Sequence, residues 1–341
     1  MKKKILSIIC MVALIFTFCV GCGGSESGTD AGSGDGETYN LKLAMSYPTE
    51  HSDTQAAQRA ADTIKEKTNG KVNITIYPSS QLGDYQQVYE EVMMGTIDMA
   101  VITLSTTYDS RLEMLTVPYL VTNYDDAIEK FSSGSEYYSL LQSVLEDAGL
   151  DPMCIFIDGF MGIGATKVIE DATDYTKSHS ELLRVPAMDS YIWTAKALGY
   201  NTTTIAYSDL YSALQTGVAD GWIGGSAYVN NTSFGDVLEY YVDNKYILEL
   251  VVGVVNSDLL NSMPQEYQDI IIDAFQAEAV TVANDRNDLD NQAMKDMEAA
   301  GITVEVPSDE EIQEVAAYFK ETVWPKYKDI LGEDLYNNLL G

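Results

Sequence analysis

Histidine, cysteine and arginine are all scarce in this chain, and each scarcity removes a class of function. There are two histidines, His51 and His179. Neither stands in an H-E-x-x-H run, and no G-x-S-x-G, G-x-x-x-x-G-K-[ST] or G-x-G-x-x-G run occurs. His179 lies in the polar stretch 176–180 and reads as solvated; His51 precedes a helical pattern and reads as surface or rim. Of four cysteines, Cys10, Cys19 and Cys22 crowd the N-terminus. Only Cys154 remains, in the apolar run 153–157, where a lone thiol is a small buried hydrophobe. No disulfide framework, thiolate metal site or cysteine nucleophile is indicated. Carboxylates are plentiful, but spacing alone does not pair them for acid–base work. An enzyme is not expected, and neither is a cofactor or a metal.

Positive charge is the other shortage. Lys+Arg number 20 against 52 Asp+Glu, a net charge of −32. That excludes nucleic acid and anionic membrane surfaces as partners. It also repels small anions, so an anionic ligand would need a concentrated local cation. The chain has four arginines. Arg59 and Arg286 fall in polar helical patterns and Arg111 in a polar loop, so these three read as solvated. Arg184 alone is set in an apolar strand, Leu182-Leu183-Arg184-Val185-Pro186-Ala187. A buried Arg is almost never unpaired. Its partner is either a fixed acid of the protein or the acid of a ligand.

The first 21 residues read as a targeting segment. Lys2, Lys3 and Lys4 precede an apolar run, 5–20, too short to span a bilayer comfortably. Cys19-Val20-Gly21-Cys22 then resembles a bacterial lipoprotein cleavage site, with Cys22 as the acylated first residue, although Cys19 stands where Leu is usual. The alternative is a simple secretory signal. Diacyl attachment would supply more than one chain, enough for stable anchoring. Residues 22–38 read as a flexible acidic tether, rich in Gly, Ser and Asp.

From residue 39 the pattern is strand, helix, strand, helix, strand: 40–46, 51–69, 72–76, 84–94 and 97–103. The same order recurs over 182–187, 190–198, 202–206, 208–216 and 221–224. A local match accompanies it. Val88-Tyr89, Val92, Gly95 and Asp98 share their spacing with Leu210-Tyr211, Leu214, Gly217 and Asp220. Two similar α/β lobes follow, each with a parallel sheet. From Gln265 to Ala300 there is no Pro or Gly. A helix of that span, roughly 50 Å long, exceeds one small lobe and is expected to bridge both. A helical tail over 308–340 packs back.

The fold class is thus α/β, two lobes with a long helix bridging both. Lobe I takes 39–158 plus about 250–288, and lobe II takes 159–249 plus about 289–341. The cleft between lobes is the expected ligand site, and Arg's planar fork suits a carboxylate.

Five motifs in order then resemble the solute-binding proteins of TRAP (tripartite ATP-independent periplasmic) transporters, the DctP, dicarboxylate-binding type, over 39–340. They are Tyr77-Pro78-Ser79-Ser80-Gln81-Leu82-Gly83-Asp84, Gly95-Thr96-Ile97-Asp98-Met99, Val117-Pro118-Tyr119-Leu120, Leu183-Arg184-Val185-Pro186, and the run 206–221 from Ala206-Tyr207 to Asp220-Gly221. The resemblance implies a two-lobed periplasmic-binding-protein-like fold (type II-like) with crossing strands and a long helix bridging both lobes, closure over an organic acid, delivery to a cation-coupled permease, and a ligand carboxylate clamped by Arg184. It places Tyr207 as the aromatic residue against the ligand, and Ser46, Thr103 and Tyr85 where cleft side chains project. Two positions depart from the family. Met161 stands where some members carry a second Arg, and Gly224, in Trp222-Ile223-Gly224-Gly225, stands where many carry a ligand-touching Asn. Met161 and Trp222 add apolar surface, so the expected ligand has one carboxylate and a less polar body, ring-bearing forms included. The implied protein is a monomer, lipid-anchored to the outer face of the cell membrane. The alternatives are a ligand sensor for a membrane receptor and the binding component of an ATP-driven importer.

Overall fold

The alternation of short apolar strands with amphipathic helices builds two sheets joined by crossing strands. The computed structural model describes residues 37–340; the expected leader, Cys22 and nearly all of the tether lie outside them. The first half runs β1 (Tyr39–Met45), α1 (Ser52–Lys67), β2 (Val72–Tyr77), α2 (Tyr85–Met93), β3 (Met99–Ile102), α3 (Tyr124–Phe131), α4 (Glu136–Glu146) and β4 (Leu150–Phe160). Next come β5 (Ile163–Ala165), β6 (Leu182–Val185), α5 (Asp189–Ala197), β7 (Asn201–Thr204), α6 (Leu210–Gln215), β8 (Gly221–Ile223) and α7 (Ala227–Phe234). The chain then forms β9 (Tyr240–Val242), β10 (Leu248–Asn256), α8 (Ser257–Asn261), α9 (Gln265–Ala300), β11 (Thr303–Glu305), α10 (Asp309–Thr322), α11 (Tyr327–Leu331) and α12 (Glu333–Leu340).

Among the described residues the strands form one sheet in the order β2-β1-β3-β10-β4 and another in the order β11-β9-β5-β8-β6-β7. The repeated pattern of the sequence is repeated topology: β1 pairs in parallel with β2 and β3, and β6 with β7 and β8. The matched residues do matched work. Gly95 and Gly217 end their helices at φ +72° and +71°, left-handed values that a Cβ disfavours. Asp98 accepts the backbone N–H of Lys42 on β1 at 2.7 Å, and Asp220 that of Leu182 on β6 at 2.9 Å. Each acid stitches the third strand of its unit to the first.

The parallel units are flanked by antiparallel strands that change sheets. β4 belongs to the first sheet and β5 to the second; β9 belongs to the second and β10 to the first. The crossings are tied together, Met161 N–H donating to Ile247 O at 2.8 Å and Tyr246 OH to Gly162 O at 2.7 Å. Helix α9 does bridge. Pro264 starts it and Gly301, at φ +94°, stops it; between them it packs on α1 and β4 and also on α7 and β11. The tail returns to the 3-10 turn Ser110–Thr116, where Tyr327 OH donates to Thr116 O at 3.1 Å. Among the described residues no helix is long and apolar enough to cross a membrane.

Candidate ligand-binding site

A cleft opens where the C-terminal ends of the parallel strands of both sheets meet, the crevice this topology leaves free for ligands. Ser46 and Tyr47 follow β1, Thr103 follows β3, Pro186 follows β6, and Gly224 and Gly225 follow β8; all line the cleft. Tyr85 enters from the first turn of α2, Tyr191 from α5, Tyr207 from the loop after β7, and Glu249 from β10. Arg184 and Trp222, register partners on β6 and β8, complete it. About 60 Å³ of the cleft is open to water-sized molecules, so in this conformation the cleft suits a small solute.

Arg184 is 3% exposed. Its Nε donates to Ile205 O at 2.8 Å, which fixes the fork. Among the described residues no carboxylate lies within ion-pair distance of it, and its two terminal nitrogens have no hydrogen-bond partner. Burial pulls its pKa down, and the Tyr85, Tyr191 and Tyr207 hydroxyls and Asp84 oppose this only in part. A desolvated guanidinium with its bidentate edge free is what a ligand carboxylate completes.

Around the cation stand rings. Tyr207 lies 6.2 Å from Tyr47 and 6.3 Å from Trp222, centroid to centroid. Trp222 in turn packs on Phe234 at 5.0 Å. Tyr85 is buried, and burial pushes its hydroxyl up to about 12. The acid in the cleft is Glu249, which the sequence reading missed. Thr103 Oγ1 donates to its Oε1 at 2.7 Å and Tyr191 OH to its Oε2 at 3.2 Å. Burial pushes its carboxyl up to about 7 against those two donors and Arg184. A signal was there: Glu249 is the one charge in Leu248–Asn256, a strand buried throughout, as Arg184 is in its own.

Behind the cleft the structure overturns three expectations. Arg286 is not solvated but 0% exposed. Its Nη2 lies 2.7 Å from Asp53 and 3.0 Å from Asp158. It falls on the buried stripe of α9 with Val282, Asp290, Ala293 and Met297, so tertiary pairing overrides the polar look of the helix. His51 is not at the rim but buried, stacked on Tyr47 at 4.0 Å and held near pKa 4 by desolvation, hence neutral. His179 is buried too, stacked on Tyr200 at 4.2 Å, because its loop folds against the helix stop at Gly199. His51, Asp53 and Asp158 lie close enough together to hold a cation. The Arg286 guanidinium already supplies that charge.

The sequence of this chain matches one family model. It describes a bacterial extracellular solute-binding protein, family 7 (DctP), and it matches residues 43–331. The chain belongs to the DctP family. That family comprises solute-binding proteins, not enzymes. The chain is 28% identical to the C4-dicarboxylate-binding periplasmic protein of Rhodobacter capsulatus, over 71% of this chain and 73% of that one. Its fold superposes with TM-score 0.79 on a TRAP periplasmic solute-binding protein of Desulfovibrio salexigens with bound orotic acid, at 22% identity, covering 89% of this chain and 99% of the other. With the sugar acid binding protein of Advenella mimigardefordensis, in complex with galactonate, the TM-score is 0.80 at 18% identity, covering 90% and 98%.

The structure shows what surrounds Gly224 and Met161, the two positions expected to depart from the family pattern. Gly224 has φ +149°, and a Cβ there would stand 2.6 Å from the Trp222 ring; at Gly225, φ +66°, the same ring would again be 2.6 Å away. Trp222 fills the space beside both glycines and is locked there by its Nε1–H to Asn230 Oδ1 bond of 2.9 Å. Met161 is fully buried in the first crossing and does not line the cleft. Ser46, Tyr85, Thr103, Arg184, Tyr207, Trp222 and Gly224 all do.

Proposed function

We propose that this protein captures a small organic acid between its lobes, its carboxylate held by Arg184, and delivers it to the membrane permease of a cation-coupled TRAP transporter. The observation that carries the reading is the buried Arg184 fork, anchored through Nε and, among the described residues, without an acid to pair with. Relatives and fold neighbours are described as binding acids: a C4-dicarboxylate, orotic acid, galactonate. The rings of Tyr207, Trp222 and Tyr47 favour a ligand with one carboxylate and a body that packs on aromatic faces. Lobe I, 39–158 with about 250–288, and lobe II, 159–249 with about 289–341, close on it as units. Cleavage before Cys22 and acylation there would hold the protein, as a monomer, at the outer face of the cell membrane.

The test is a thermal-shift screen of small acids against wild type and Arg184→Ala. The reading expects at least one acid to stabilise wild type and not the variant. Equal stabilisation of both would remove Arg184 from the carboxylate site. Aromatic or branched monocarboxylates should outrank succinate-like diacids.

A further inference from the structure

The cleft contains two opposite charges that do not meet. Arg184 and Glu249 line the same small cavity, and Arg184 lowers the Glu249 pKa, yet among the described residues they form no ion pair. They stand on different sheets, Arg184 on β6 and Glu249 on β10. Glu249 is held in place from both sides, by Thr103 beyond β3 and by Tyr191 of α5. Each of its oxygens accepts one bond from these residues and keeps a lone pair free. The strand is irregular at this point: the register of β10 against β4 shifts between Glu249 and Leu250, opposite Gly159. Val251, two residues on, lines the cavity as well, as the period of a strand requires.

A ligand with a second carboxylate would meet Glu249 in a desolvated space. A ligand with a carboxylate alone would neutralise Arg184 and leave Glu249 without a partner for its charge. What matches both ends is a molecule of no net charge with a carboxylate and a protonated nitrogen. We propose that the solute is such a zwitterion, an amino acid or a close relative, with its carboxylate on Arg184 and its ammonium on Glu249. The proposal rests on the acid-binding reading above and names the class of acid. The surrounding rings of Tyr47, Tyr85, Tyr191 and Tyr207 suit a cation placed among them. A carboxyl pushed up to about 7 by burial in the absence of ligand is one that an arriving ammonium draws back to the ionised form.

Calorimetry on matched pairs tests this: L-alanine against propionate, L-proline against cyclopentanecarboxylate, L-leucine against 4-methylpentanoate, with succinate as the diacid. Wild type should bind the zwitterion of at least one pair at least about tenfold more tightly than its deaminated partner, and more tightly than succinate. Glu249→Gln should shrink that preference to about threefold or less while still binding the deaminated acid. Glu249→Asp, which keeps the charge, should retain part of it; circular dichroism checks that both variants fold. Tighter binding of succinate or of the deaminated acids overturns the proposal, as does a preference that survives Glu249→Gln. In those cases Arg184-dependent acid binding persists, so the acid-binding reading stands. If no acid of any class binds wild type, the acid-binding reading fails, and this inference with it.

Discussion

The chain buries two arginines, and they live in opposite circumstances. Arg286 has its counter-charges within the protein: Asp53 and Asp158 flank its Nη2, its Nε donates to Ile157 O, and its guanidinium lies 5.3 Å from the Tyr228 ring, although its Nη1 finds no hydrogen-bond partner among the described residues. Burial works against its charge, but Asp158, Asp53 and Asp290 outweigh burial and hold its pKa above the ordinary value. Arg184 has, among the described residues, one backbone acceptor and no carboxylate, and burial pulls its pKa down. A buried cation is thus no sign of a ligand until its partners are known. Arg286 holds α9 to α1 and β4, so its role is structural. Arg184 is the cation left with something to bind.

Substitutions can break this contrast, beginning with the largest effect. Arg286→Met should destabilise the protein by about 3–5 kcal/mol, because it leaves Asp53 and Asp158 buried without a counter-charge. Urea denaturation measures it, and a loss under about 1 kcal/mol would mean the network is not what holds the fold. Arg184→Met should do the reverse. Unliganded stability should change by no more than about 1 kcal/mol, whereas the gain of about 2.7 kcal/mol from a ligand at 100 times its Kd should vanish. Paired melts with and without the ligand found by screening give both numbers.

Glu249 sharpens the contrast through pH. Its carboxyl moves from 4.5 to about 7 on folding, so between those values the folded state keeps a proton that the unfolded state has released. The stability this confers is whole below pH 4.5 and lost as pH rises through 7. From pH 5 to 8, unliganded wild type should therefore lose about 1–3 kcal/mol relative to Glu249→Gln. Arg184 and Asp53, the charges acting on Glu249, are present in both proteins and cancel in the comparison. Parallel stability–pH curves would show that the carboxyl titrates normally. The smallest effect is expected at the surface. Arg59 pairs with Glu278 at 2.6 Å, but its side chain is 49% exposed, so Arg59→Ala should cost about 0.5 kcal/mol or less by thermal melting.

Much of this was legible in the chain. The strand–helix alternation, the two matched units and the long helix follow from period and from glycine stops, which are local properties. Arg184 stood out because its neighbours in sequence are also its neighbours in the strand. The short strands β5 and β9 were not read: each has three residues and, unlike the equally short β8, no place in the repeated strand–helix order. Glu249 was readable by the argument applied to Arg184, as a single charge in an apolar run. Arg286 was misjudged because the polar residues around it on α9 hid that it shares a stripe with Val282, Asp290 and Met297.

By itself the sequence determined the α/β class, the paired lobes and the one strand whose cation lacks a local reason to be there. Only the tertiary structure decided which buried charges have partners. Asp53 lies 233 positions from Arg286, and Thr103 lies 146 from Glu249. Pairing at such separations depends on how the crossing strands and α9 bring distant segments together, and no local pattern encodes it. The same folding set Arg184 and Glu249 across one cavity without letting them touch, which turns two isolated charges into a site.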